Sequence, residues 1–260
     1  MKKSTVHLPR EESSISEGKR FLLFMRSHPG FTVGLVIVVA NLLMMLFGPM
    51  LAPYDPFEAD PSSVRLPPSA QHIFGTDTNG MDIFSRVIYA PRIDLTIALA
   101  GTAISLIVGV VLGGYTGFWN NWLSTLVERV ADLLQAFPPF VLAMALVAVT
   151  GQKIQNVIYV IAFLNIPIYL RLVRGDVISV KNRTYVEAAV CVGGSRAWVL
   201  FRHVLPNVIG SALTQASVSI GWTILMTSGL SFIGAGVAVP TPEWGAMIAV
   251  GASTIIMGEW

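Results

Sequence analysis

Tyr185-Val186-Glu187-Ala188-Ala189, then Gly193, then His203-Val204-Leu205-Pro206-Asn207 form the stretch on which the fold reading turns. It sits in a basic, polar segment holding Arg171, Arg174, Lys181, Arg183, Arg196 and Arg202, between two long apolar segments. That placement puts it on a membrane surface, outside the lipid. Glu187, Ala188 and Ala189 are good helix formers, and Gly193 can end or bend a short helix.

Composition points the same way. Apolar residues make up 53% of the chain and charged residues 12%, against about 25% charged in soluble domains. The net charge of +2 is too small to suggest a nucleic-acid partner. A single cysteine, Cys191, excludes an intramolecular disulfide framework. His7, His28, His72 and His203 have no metal-ligand spacing, so neither a metal site nor a catalytic constellation is expected. No Gly-Lys-Ser/Thr of a phosphate-binding loop occurs, so the chain is not expected to hydrolyse ATP or to carry a cofactor.

The apolar runs set the organisation. Residues 1–30 form a polar tail. Phe31–Leu51 is about long enough to span a bilayer and reads as an uncleaved first span. Residues 52–93, rich in Pro, Asp and Ser, read as an extramembrane segment. The core, 94–260, opens with a second span at Leu95–Tyr115, whose Gly109, Gly113 and Gly117 share one helix face. Such a face lets another helix approach closely, although glycines also collect near helix ends. Leu123–Thr150 holds a third span interrupted by Pro138-Pro139, Val157–Val173 a fourth containing Pro167, and Asn207–Ile233 a fifth. In the fifth, Ser211, Gln215 and Ser219 recur at four-residue intervals beside Thr214. These residues are expected to face a translocation path or other helices of the subunit. Asp82–Tyr89 is expected to be a short helix on the outer surface, capped near Asp82.

Charge asymmetry orients the spans. The N-terminal block carries Lys2, Lys3, Arg10, Lys19, Arg20 and Arg26, whereas residues 52–94 carry three arginines against six acidic residues. A cytosolic N-terminus followed by four spans returns the chain to the cytosol at residue 174, so the Glu-Ala-Ala segment faces the cytosol.

The spacing from Glu187 to Gly193 and on to Leu205-Pro206 resembles the EAA loop of ABC importer permeases. His203 stands where the general pattern has an apolar residue, as it often does in the peptide and nickel branch. Gly75-Thr76-Asp77, Gly80, Asp82, Ser85 and Arg86 resemble that branch's G-T-D-x-x-G-R-D-x-x-S-R signature, with Met81 in place of the usual Arg. Leu230-Ser231-Phe232-Ile233-Gly234-Ala235-Gly236, Pro240-Thr241-Pro242-Glu243-Trp244-Gly245 and Ala52-Pro53-Tyr54-Asp55-Pro56 are similar to further segments of the branch.

The resemblance implies an all-α integral membrane protein, a type I ABC importer permease bundle. Five spans are secure here. The sixth is either absent, making the chain a fragment (the favoured reading), or shortened to Trp244–Trp260. The implied coupling loop is 174–206, with Tyr185, Glu187, Ala188, Ala189, Gly193, Arg202, His203, Leu205 and Pro206 as its residues. Glu187, Ala188, Ala189 and Gly193 make the ATPase contact. Arg202 and His203 fix the loop against neighbouring backbone or acidic groups, or serve as ordinary interfacial polar residues. Implied partners are cytosolic ATPase subunits that bind and hydrolyse ATP, a second and different permease, an external solute-binding protein and membrane lipid. The expected function is import of peptides or a related small solute across the bacterial inner membrane. An autonomous channel, a secondary transporter or a membrane anchor are the alternatives.

Overall fold

The computed structural model describes residues 17–256. Lys2, Lys3, Arg10 and His7, and the last residues of the Trp244–Trp260 segment, lie outside them. Within the described residues the ordered elements are helical: α1 (Glu17–Ser27), α2 (Pro29–Leu51), α3 (Ile83–Phe118), α4 (Trp122–Gln135), α5 (Pro139–Thr150), α6 (Ile154–Val180), α7 (Thr184–Cys191), α8 (Arg196–Val199), α9 (Leu205–Phe232) and α10 (Trp244–Ile256). Four stretches are long and apolar enough to cross a membrane: α2, α3, α6 and Arg196–Phe232. The pair α4 and α5, bent by 95°, is a fifth if the two helices are counted together as one broken span. The chain divides into two compact units, residues 1–44 and 45–260.

In the first unit, part of the tail expected to be merely polar is helical, because Phe21–Met25 is a continuous apolar run flanked by Lys19, Arg20 and Arg26. At His28 the helix breaks. The Thr32 hydroxyl donates to the Met25 carbonyl at 2.7 Å, a pair that a straight helix would hold about 10 Å apart along its axis. The chain therefore turns sharply there, and Phe24 stacks on His28 with ring centroids at 4.2 Å.

In the second unit, α3 and α6 form the central pair. A Cβ at Gly109 would lie 2.4 Å from Tyr169 Cβ, one at Gly113 2.5 Å from the Leu170 carbonyl oxygen, and one at Gly117 2.8 Å from Val177 Cβ. The glycine face is thus a close helix–helix contact, the first of its two sequence readings. In hydrocarbon such contacts rest on van der Waals packing, because lipid tails are as apolar as the side chains. α9 packs across both helices. Leu205, Val208, Ala212 and Ala216 join Val110, Tyr169, Val173 and Val177 in one buried cluster. A second cluster, with Ile97, Ala143, Val147, Val157, Ile161 and Leu230, joins α3, α5, α6 and α9 further along.

One expectation fails at the start of α3. Asp82–Tyr89 is not a separate surface helix but the first turns of a helix running from Ile83 to Phe118. Asp82 caps it, accepting from Ser85 N at 2.8 Å. Pro91 sits inside and cannot donate to the Val87 carbonyl, yet the helix continues. The freed carbonyl accepts instead from Trp244 Nε1 at 3.4 Å. At about 54 Å, α3 exceeds the ~30 Å hydrocarbon thickness, so these turns project past the lipid.

The segment 52–82 is tied to this projection by buried polar groups. Arg86, 3% exposed, donates through Nη1 to Pro56 O at 2.8 Å, to Pro240 O at 2.9 Å and to Met81 Sδ at 2.7 Å. Met81 is therefore buried beneath Arg86, where a second arginine would place two cations side by side. Glu243, fully buried, caps α10 by accepting from Ala246 N at 2.8 Å, and it accepts from Ser228 at 3.1 Å.

Gly113→Ala should destabilise the subunit, because the added Cβ meets a backbone oxygen that cannot move aside alone. Overpacking typically costs about 1–3 kcal/mol. Gly221→Ala on α9, whose Cβ meets nothing within 4 Å, should leave stability unchanged or slightly raised. Thermal unfolding of both variants in detergent reads the difference; equal midpoints would remove the glycine face as the packing determinant.

Candidate coupling loop and translocation face

The loop after α6 is built as a compact two-helix turn. α7 ends at Cys191 with Val192 as its cap, and the next two residues close it. Gly193 N donates to Val190 O at 3.0 Å and Gly194 N to Ala189 O at 3.1 Å, the paired bonds of a Schellman motif. Gly193 has φ +92°, and a Cβ there would meet nothing within 4 Å. Backbone conformation, not crowding, demands this glycine. Gly194, which the sequence reading passed over, is the crowded one. Its Cβ would lie 2.7 Å from Ala189 O and 3.0 Å from the Trp198 ring.

Ser195 then caps α8, accepting from Trp198 N at 3.3 Å. Leu200–Val204 widens into a π-turn, with Leu205 N bonding back to Leu200 O. Pro206 explains the widening. It has no N–H for the carbonyl four residues back, and its ring would press on that carbonyl in a regular helix. Through this turn α8 and α9 form one apolar helical stretch of 37 residues, Arg196–Phe232.

The predicted loop residues divide by face. Tyr185, Glu187 and Ala188 are exposed. Ala189, expected at the ATPase contact, is instead buried with Val186 in the cluster that includes Val199, Leu200, Val204 and Leu205. Its helical position, one residue after Ala188, turns it toward α8. Leu205 is buried against α3, where a Cβ at Gly114 would meet it at 2.8 Å, and Pro206 is exposed. His203 packs edge-on against Trp198 with centroids 4.7 Å apart. Its Nε2 is buried and has no hydrogen-bond partner among the described residues. Arg202 is exposed and forms no ion pair with an acidic group among them, which matches the second of its two expected roles, an ordinary interfacial polar residue. Sequence reasoning missed an exposed apolar surface on the same loop. Val190, Val192, Trp198 and Phe201 are 48%, 83%, 49% and 58% exposed. No alternating or heptad pattern marks them, because they come from two short helices and the turn between.

The predicted path residues on α9 also separate. Ser211 is exposed, donating to an Asp176 carboxylate oxygen on α6 and to Val208 O at 2.9 Å. Thr214 is exposed and bonds back to Gly210 O at 3.0 Å. Gln215 is partly buried and donates to Ser219 at 3.4 Å. Ser219 is 3% exposed and lies inside the subunit. The four therefore do not form one solvent-facing stripe. The outward face of α9 runs instead through Gly210, Thr214, Ser217 and Gly221.

On the α4 side, Arg171 reaches Asp132 at 2.7 Å and Arg174 reaches Glu128 at 2.7 Å. The Lys181 ammonium donates to Gly117 O at 2.9 Å, joining the end of α6 to the end of α3.

Comparison with known proteins accords with this architecture. Residues 109–258 match the family described as binding-protein-dependent transport system inner membrane component. Residues 16–68 match the N-terminal TM domain of oligopeptide transport permease C. A dipeptide transport system permease protein of Alkalihalophilus pseudofirmus is 37% identical over 228 residues, covering 88% of this chain and 75% of that protein. A probable D,D-dipeptide transport system permease protein of Escherichia coli is 38% identical over 243 residues, covering 94% and 82%. A glutathione transport system permease protein of Shigella dysenteriae is 39% identical over 228 residues, covering 86% and 74%. With the family matched over more than half its length and these relatives aligned over most of it, the chain belongs to the binding-protein-dependent transport system inner membrane components, the multi-pass permease subunits of ATP-driven importers.

Proposed function

We propose that this permease imports peptides or a closely related small solute, taking them from an external binding protein and drawing its energy from cytosolic ATPase subunits docked on α7 and α8. Relatives named for dipeptides, D,D-dipeptides and glutathione support the cargo class. One observation carries the coupling mechanism. The inner faces of α7 and α8 (Val186, Ala189, Val199) share a buried cluster with Val110 of α3, Val173 and Val177 of α6, and Val208 and Ala212 of α9. Packed interiors transmit displacement because they lack free volume to absorb it. A force on the outer face of the loop is thus delivered to three spans together.

The docking surface comprises Tyr185, Glu187, Ala188, Val190, Val192 and Trp198, an apolar patch with one carboxylate at its centre. Gly193 sets its shape, and Ala189 and Leu205 seat it. Arg202 and Pro206, both exposed, lie at its edge, and His203 supports it through Trp198. ATP-driven closure of the ATPase pair moves the loop, and the spans rock from inward- to outward-facing. On α9, Thr214 and Ser217 face the path, with Gln215 at its margin. Ser211 holds α9 to α6, and Ser219 belongs to the interior packing. The unpartnered outward face of α9 suits a second, different permease.

Ala188→Arg should leave insertion intact and weaken recovery of the ATPase. An arginine forced into an interface centre costs about 2 kcal/mol, roughly thirty-fold in affinity. Ala189→Arg should instead lower the yield of folded subunit. Co-purification from detergent separates the two. Full recovery of the ATPase and full uptake with Ala188→Arg would remove this face from the coupling site.

Topology has its own expected outcome. In a Cys191→Ser background, a cysteine at Ser69 should react in intact cells with an impermeant thiol reagent, and one at Ser179 should not. The reverse pattern would place the α7–α8 loop outside, beyond reach of a cytosolic ATPase.

A further inference from the structure

The break between α4 and α5 has chemistry of its own. Pro138 and Pro139 bring no backbone N–H, and the helix axis turns by 95° across them. Interrupted backbone at membrane depth survives only where protein or water covers its freed polar groups. Beside this break is a cavity of about 270 Å³, lined among others by Leu134, Gln135, Leu164, Asn165, Trp222 and Met226. That is far above the ~15 Å³ that admits one water and just below the ~300 Å³ at which whole-ligand pockets begin. It has room for part of a solute.

It lies along the middle stretches of two spanning helices. Asn165 lies roughly 16 Å along α6 from Ile154, and Trp222 about 15 Å along α9 from Phe232, distances comparable to half of a ~30 Å hydrocarbon core.

Its polar groups are unspent. Asn165 is 7% exposed, and its Nδ2 reaches Thr223 Oγ1 only at 3.5 Å. Its Oδ1 has no hydrogen-bond donor among the described residues. The Gln135 carboxamide and the Trp222 indole belong to exposed residues and are open to a ligand. A carboxamide presents one acceptor and an N–H donor, the complement of the C=O and N–H of a peptide bond. Neither group titrates, so recognition does not depend on the charge of the peptide's side chains. The Trp222 ring, 55% exposed, and the flanking Leu164 and Met226 supply an apolar surface for whichever side chain follows.

A second observation concerns the same face. Along α4 and α6 from this cavity, away from the outer end, come the Arg171–Asp132 and Arg174–Glu128 pairs, whose side chains are between 31% and 50% exposed. Ion pairs this exposed on facing helices mark a face turned to water rather than to lipid tails.

We propose that this cavity is a mid-membrane subsite that holds a backbone amide of a peptide in transit, with Gln135 and Asn165 as its hydrogen-bonding groups. The proposal rests on the peptide-import reading above.

The test uses the importer assembled with its ATPases, second permease and binding protein in proteoliposomes, with alanine peptides of two to four residues as cargo. Gln135→Leu and Asn165→Leu should each lower uptake about tenfold, while ATP hydrolysis stimulated by loaded binding protein is retained. In a Cys191→Ser background, Leu164→Cys should react with a water-soluble maleimide, and excess peptide should slow that reaction at least fivefold. Adding Asn165→Leu should abolish the protection. Because Leu164→Cys leaves both carboxamides in place, its labelling remains readable if Asn165→Leu fails to fold. Wild-type uptake that both leucine variants match, or a Leu164→Cys that never reacts, would overturn the subsite while the importer reading stands. No uptake of these peptides by the unsubstituted importer would overturn the cargo reading and the peptide subsite with it.

Discussion

The close approach of α3 to α6 is the constraint on which the other contacts depend. Three glycines at four-residue spacing let the α3 backbone come within contact of Tyr169, Leu170 and Val177. With no hydrophobic force between helices in lipid, only contact at this range gives the pair a defined register. The register then fixes where α9 crosses, since Leu205 seats on Gly114 and Val208 and Ala212 pack on the same cluster. The Lys181 bond to Gly117 O and the ion pairs between α4 and α6 add polar links on top of a contact already determined by shape.

Much of this was legible in the chain, for physical reasons that differ by element. Apolar runs of span length needed no context, so α2 and α9 lie within a few residues of their expected positions, while α6 runs seven residues beyond its expected end. The loop was recognisable from the spacing of Glu187, Gly193 and Leu205-Pro206, and Gly193 at φ +92° shows one backbone requirement behind that spacing. What escaped depended on rotation about helix axes. Ala188 and Ala189 are chemically identical, and only the register of α7 sends one to solvent and the other into the cluster. Ser219 likewise continues a four-residue series yet faces inward, because a straight series drifts around the helix at 3.6 residues per turn. The doubled Pro138-Pro139 announced the interruption that turns the chain through 95°, whereas the lone Pro91 gave no sign that its helix would continue because Trp244 supplies a donor to the freed carbonyl.

The region around the start of α3 shows how polar groups are housed when water is scarce. Arg86, Asp82 and Glu243 are all nearly sequestered, and each bonds backbone groups or neighbouring side chains, although Arg86 Nε is left without a partner among the described residues. Buried ionisable groups are costly unless so occupied. The G-T-D and P-T-P-E-W-G segments are therefore architectural first, holding the projecting end of α3 to the start of α10. The loop on the other side has the opposite character: its apolar residues are exposed and its backbone is satisfied internally.

The π-turn at Leu200–Val204 has a mechanical consequence. By accommodating Pro206 without ending the helix, it leaves Arg196–Phe232 as one rod about 55 Å long. Such a rod is held against α3 and α6 from Leu205 through Ala216 to Leu230. A helix without a hinge is stiff along its length, so under the proposed coupling a displacement at Trp198 would be carried to Phe232 by one rigid element, needing no separate signal between the two ends.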